Sequence, residues 1–167
     1  MTGSAEEREI RLDRMRYVKN TASSRLCYLA IVFDVLYFVK IYQSDVGSWY
    51  YQILVGGSII YNLLFMLVTF LASEGVKNYK AGYSKVLYIL GVLQAGRIFV
   101  LPVSAHNALV KVGSEQLQAM DDAKFIFAVI CLALSAVCLI AAAEINRRKC
   151  AALAQHAVSP DTVKEAA

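Results

Sequence analysis

The sequence predicts an all-α integral membrane protein: a four-transmembrane-helix bundle with a short basic N-terminal interfacial helix. Three observations lead there. Of 167 residues, 58% are hydrophobic, against about 45–50% in an ordinary soluble domain. Mean hydropathy is positive, +0.50. The apolar residues gather in four stretches, at about 26–42, 49–72, 83–103 and 125–143, and a helix crosses a 30 Å hydrocarbon core with about 20 of them. Such stretches lack the alternation of barrel strands.

Residues 1–25 form a basic amphipathic segment. Ser4 and Glu7 match a capping box, and Ile10, Met15, Tyr17 and Val18 interleave with Arg8, Arg11, Arg14, Arg16, Lys19 and Arg25. A helix of this kind lies on an anionic inner leaflet, which makes Arg8, Arg11, Arg14, Arg16 and Lys19 candidate lipid contacts. The competing reading is an ordinary basic flank of the first span. That span is short and contains Asp34 and Lys40, but Arg25 and Lys40 can snorkel outward. About 25 polar residues precede it and no small-residue cleavage site follows it, so it is expected to be an uncleaved signal anchor.

The second span opens on Trp49, Tyr50 and Tyr51, and Tyr79 and Tyr83 precede the third. Aromatic rings favour the headgroup level, so both groups read as belts. The connection at 104–124 is the longest. Ser114 is expected to cap a short helix there, ending near Asp121. The four-helix domain occupies 26–146, and 147–167 is expected to be a mobile tail containing Ser159-Pro160-Asp161.

Charge sets the expected orientation. Arg8, Arg11, Arg14, Arg16, Lys19, Arg25, Lys77, Lys80, Lys85, Arg147, Arg148, Lys149 and Lys164 fall on one side of the four spans; Lys40, Lys111 and Lys124 fall on the other. The positive-inside rule then puts both termini in the cytoplasm, with the plasma membrane as the expected location. The net charge of +4 is local to these flanks, which argues against a nucleic-acid partner. The four cysteines, Cys27, Cys131, Cys138 and Cys150, form no C-x-x-C pair, and the two histidines are far apart in sequence. No metal site, cofactor or disulfide framework is expected. No H-E-x-x-H, G-x-S-x-G or phosphate-binding glycine loop is present, so no catalytic residues are assigned and an enzyme is the least favoured class. Glu74 and Glu144 read as solvated helix ends.

Charges within a span are costly, at about 2.5–3.5 kcal/mol each on insertion scales. At 1.5 Å per residue, Asp34 lies about 13 Å beyond Arg25, and Arg97 about 18 Å beyond Lys85. Gln94 is one turn below Arg97, and Tyr61 and Asn62 on the second span fall near the same depth. An intramembrane polar cluster of Asp34, Tyr61, Asn62, Gln94 and Arg97 is therefore expected. Pairing Asp34 with Arg97 would lower the cost of burying each. Three roles follow: an ion pair fixing helix register, a substrate or proton site, or charges facing a partner's helix.

Ala128, Cys131, Ser135, Cys138 and Ala142 recur at spacings of three and four on the fourth span, a small-residue helix-packing face. Gly91-x-x-x-Ala95 on the third follows the same logic. Four spans with a carboxylate in the first resemble, in outline, the small multidrug transporters. The present chain is longer, adds a basic N-terminal segment and a longer outer loop, and carries Arg97 in its third span, so no residue role is transferred.

The expected partners are the lipid bilayer and other membrane helices, from a second copy or another protein. The expected function is that of an accessory, assembly or regulatory subunit of a membrane complex. The alternative is a small oligomeric secondary transporter with Asp34 as its ion-coupling carboxylate.

Overall fold

The computed structural model describes residues 7, 10–14, 18–41, 49–100, 102–107, 109–112, 115–118 and 120–165. In chain order the elements are α1 (Thr21–Ile41), α2 (Trp49–Lys77), α3 (Gly82–Val100), α4 (Pro102–Asn107), β1 (Leu109–Val112), β2 (Glu115–Gln118) and α5 (Asp122–Glu165). Glu7 and residues 10–14 are also helical. Four segments are long and apolar enough to cross a membrane: Thr21–Lys40 in α1, Gly56–Lys77 in α2, Gly82–Ser104 over α3 and the start of α4, and Asp122–His156 in α5.

α5 is the centre of the bundle: it packs along both α1 and α3, while α2 packs on α1. α2 and α3, although joined by a tight turn, touch each other much less. One core cluster centres on Cys27, Ala30, Phe65, Ala72, Leu87, Leu139 and Ala142. A second, toward the opposite end, joins Tyr37 to Met120, Ala128, Cys131 and Leu132. The small-residue face of α5 makes this approach possible. Ala128, Cys131, Ser135, Cys138 and Ala142 are all buried. Gly91 of α3 meets the same helix so closely that an added Cβ would lie 2.8 Å from Ile140 Cγ1. The outer surface keeps large apolar side chains such as Leu63, Leu67, Ile89, Val92, Phe99, Ile130 and Val137, as expected of helices facing hydrocarbon.

The α2–α3 turn is held by backbone bonds from Asn78 and Lys80 to the Gly75 carbonyl and from Tyr79 to that of Val76. Tyr79 takes a left-handed conformation, φ 54°, the usual way to end a helix sharply. Gly75 is required there because a Cβ would overlap the Tyr83 ring.

Two sequence expectations are corrected. The stretch 147–167 was expected to be a tail; α5 instead runs unbroken to Glu165, about 66 Å at the standard rise and twice the core thickness. Its Ala-rich composition carries the helix on past the charged cluster at Arg147, Arg148 and Lys149. The connection at 104–124 holds a β-hairpin in place of a short helix. Leu109 pairs with Gln118 and Val112 with Glu115, leaving a two-residue link; alternating Leu109-Val110-Lys111-Val112 ahead of Gly113-Ser114 is a hairpin pattern. Ser114 itself lies outside the described residues.

Candidate functional site: a buried polar layer in the bundle

All four long helices contribute to one polar layer near mid-bundle. From α1, Asp34 is fully buried. Its Oδ1 accepts from Gln94 Nε2 at 2.7 Å and from Arg97 Nη1 at 3.1 Å, both on α3. Gln94 and Arg97 lie three residues apart, so one helix face presents both to the same carboxylate. Arg97, 7% exposed, is held in two further ways. Its Nη2 donates to Ser58 Oγ of α2 at 3.0 Å. Its guanidinium lies between two rings, 4.5 Å from the centroid of Tyr37 and 4.8 Å from that of Tyr61, within cation–π range. From α5, Ser135 Oγ donates to the Ala30 carbonyl at 3.1 Å and lies 3.5 Å from Gln94 Nε2.

Of the five residues expected to cluster, Asp34, Gln94, Arg97 and Tyr61 meet directly or through the guanidinium. Asn62 is fully buried but bonds to none of them: both of its amide atoms lack a partner. Asp34 Oδ2, Gln94 Oε1, the Tyr61 hydroxyl and Thr69 Oγ1 are likewise unpartnered among the described residues. The pair is thus satisfied on one carboxylate oxygen, with a fringe of unused hydrogen-bonding capacity beside it.

Two members of this layer, Tyr37 and Ser58, were not assigned to the cluster from the sequence, although Ser58, Asn62 and Thr69 read there as one side of the second span. Ser58 stands one turn before Asn62 on α2, and that spacing was their available signal. Tyr37 follows Asp34 by three residues and reads as an ordinary core aromatic.

A second polar network, also unexpected, closes the end where the basic segments gather. Asn20, just before α1, donates to Ser23 Oγ at 2.9 Å and to Asn146 Oδ1 at 3.2 Å. Asn146 of α5 donates to Ser84 Oγ at 2.8 Å and to the Lys80 carbonyl at 3.3 Å. Lys149 donates to Asn20 Oδ1 at 2.9 Å, and the Asn20 amide donates to the Lys77 carbonyl. Ser24 and Ser73 join α1 to α2, Oγ to Oγ at 2.8 Å. Asn146 lies one turn beyond Ala142, so it continues the small-residue face of α5 in the sequence. Tyr79, in the turn, has its phenol pushed above the ordinary value by burial and then by Cys150 nearby.

Of the lipid-contact candidates, Arg11, Arg14 and Lys19 are exposed; Arg8 and Arg16 lie outside the described residues, as do Ser4 and the side chains of Trp49, Tyr50 and Tyr51. Asp13 Oδ1 lies 2.9 Å from His156 Nε2, tying the N-terminal segment to the far part of α5. No group of three or more metal-ligating side chains occurs among the described residues.

Fold and site together define a small helical bundle with four candidate membrane spans around a buried ion pair. No family model matches the chain, and no curated protein or solved structure is significantly similar to it.

Proposed function

We propose that this protein sits in a membrane, with both termini in the cytoplasm, and acts on other helices in the plane of the bilayer as an accessory, assembly or regulatory subunit. The observation that carries this reading is the looseness of the α2–α3 side. α2 and α3 make the weakest of the contacts between neighbouring long helices. Each helix carries an exposed glycine, Gly57 and Gly96, with nothing within 4 Å of where a Cβ would stand. The Arg97–Ser58 bond brings these two glycines to nearly the same level. Bare backbone on the outside of a membrane helix permits close approach by another helix. The small-residue face of α5, by contrast, is consumed within the chain. The charge pair is also closed internally, so a partner would meet an apolar surface.

The test is assembly state. The intact protein, solubilised in mild detergent and studied by native mass spectrometry, should run as a defined oligomer or complex. Gly57→Leu with Gly96→Leu should dissolve it while leaving helicity and melting temperature unchanged. A monomer in both forms would reject the reading. Solute-driven flux in liposomes containing only this protein would replace it with the transporter alternative.

A further inference from the structure

We propose that Asp34 is a proton-binding site, reached by water from the basic end of the bundle along the seam between α1 and α2. The inference goes beyond the assembly role and does not depend on it.

Between the basic end and Asp34 the seam carries a row of polar side chains set in the packed apolar core, and beyond Asp34 it is closed. At the basic end it begins with Asn20 and Ser23, followed by the Ser24–Ser73 pair. Next on α2 comes Thr69, one turn from Ser73, and then Asn62; both are fully buried and unpartnered. The register set by Ser24 opposite Ser73 brings Asn62 level with Asp34. Between Thr69 and Asn62 the α2 side is Phe65, but the α1 side is lined by small Cys27 and Ala30. Beyond Asp34, toward the hairpin, the path meets Arg97, fixed to Ser58 and flanked by the rings of Tyr37 and Tyr61.

The site itself has room for a proton in its bonding. Asp34 Oδ1 carries both donors, and Oδ2 has none among the described residues. A bare carboxylate oxygen in low dielectric is relieved by a proton or by water. A proton delivered by hydronium binds Oδ2 and releases one water; the resulting acid O–H then has Gln94 Oε1 and Asn62 Oδ1 as candidate acceptors. A hard metal ion is a poorer guest, because it needs about six oxygen ligands. The titratable groups around Asp34 are Arg97 on α3, Tyr61 on α2 and Tyr37, which shares the Arg97 guanidinium, on α1. Arg97 decides whether neutralisation is tolerable. Its anchors on Ser58 and two aromatic faces do not involve Asp34, so proton uptake does not strand the cation.

Infrared difference spectroscopy of the full chain in lipid nanodiscs tests this. Acid-minus-alkaline spectra should contain a protonated carboxylic acid band that shifts in D₂O, disappears in Asp34→Asn and moves in Asp34→Glu. Asn62→Leu with Thr69→Leu should slow deuterium exchange of that band by roughly tenfold or more, the scale of losing hydrogen-bonded relays. Leu63→Ala, on the outer surface, should leave the rate unchanged. Absence of any band that responds to Asp34→Glu would overturn the proton site. A band whose exchange rate ignores both seam substitutions would overturn the route.

Discussion

Removing either member of the Asp34–Arg97 pair should destabilise the bundle, and by unequal amounts. Loss of one partner from a buried ion pair costs about 3–5 kcal/mol. Arg97→Met belongs at that level. It leaves Asp34, fully buried, with Gln94 as its remaining donor, and it also frees Ser58 and empties the space between two rings. Asp34→Asn belongs lower, at about 1–3 kcal/mol, because Asn keeps an oxygen for both donors and Arg97 keeps a charge-assisted bond to Ser58. Each aromatic face adds up to about 2 kcal/mol for a desolvated cation. The double variant buries no charge and should be milder than the sum by about 2 kcal/mol. Reversible unfolding of the four proteins in one mild detergent gives the cycle. Additivity to within about 0.5 kcal/mol, or a larger loss from Asp34→Asn than from Arg97→Met, would refute the account of Arg97 as the multiply anchored partner.

Other perturbations probe the rest of the bundle. Gly91→Val should destabilise by about 1–3 kcal/mol through overpacking against Ile140, whereas Gly96→Ala, with open space around it, should be neutral in the same melt. Ser135→Leu should lower the folded yield, since it replaces a fully buried hydroxyl at the α1–α5 contact; Leu134→Ala, on the outer face, should do much less, and equal effects would reject the inward face of α5. Asn146→Leu should cost about 1–3 kcal/mol by removing its bonds to Asn20, Ser84 and the Lys80 carbonyl, and a melting temperature matching the wild type would show that this network is not holding the basic end. For topology, an impermeant thiol reagent added to sealed cells should reach cysteines introduced in the 109–118 hairpin and not those in the 78–81 turn; the opposite pattern would reverse the orientation.

How much was legible in the sequence follows from what each signal depends on. Span length and hydropathy are local sums along the chain, so four candidate membrane helices could be read without any tertiary information. Depth is also local, because helix rise is fixed; that is how Asp34, Gln94 and Arg97 could be assigned to one layer from their distance to the flanking charges. Rotation about each helix axis is a different matter. Which face of α2 turns inward depends on the neighbours, and only packing decided that Ser58 reaches Arg97 while Asn62, one turn away, goes unpartnered among the described residues. The small residues of α5 were visible as a stripe, but a stripe fits a helix of the same chain as well as one from another. Close packing against α1 and α3 made that choice.

The ends show the same division. Charge counts along the chain separated the basic segments from the rest, since each residue contributes to that bias independently. The contacts among Asn20, Asn146, Ser84 and Lys149 join positions up to 129 apart, and no periodicity encodes a bond across such a separation. The extension of α5 and the β1–β2 hairpin were misread for a related reason. Polarity was taken there as a sign of tail or cap, while intrinsic helix propensity and period-2 alternation were the signals that prevailed. Thus the sequence by itself determined the number and the apolar character of the candidate membrane spans, which are properties of contiguous segments. The tertiary structure alone decided which polar atoms are satisfied, because a hydrogen bond between helices depends on rotation and register that only their mutual packing fixes.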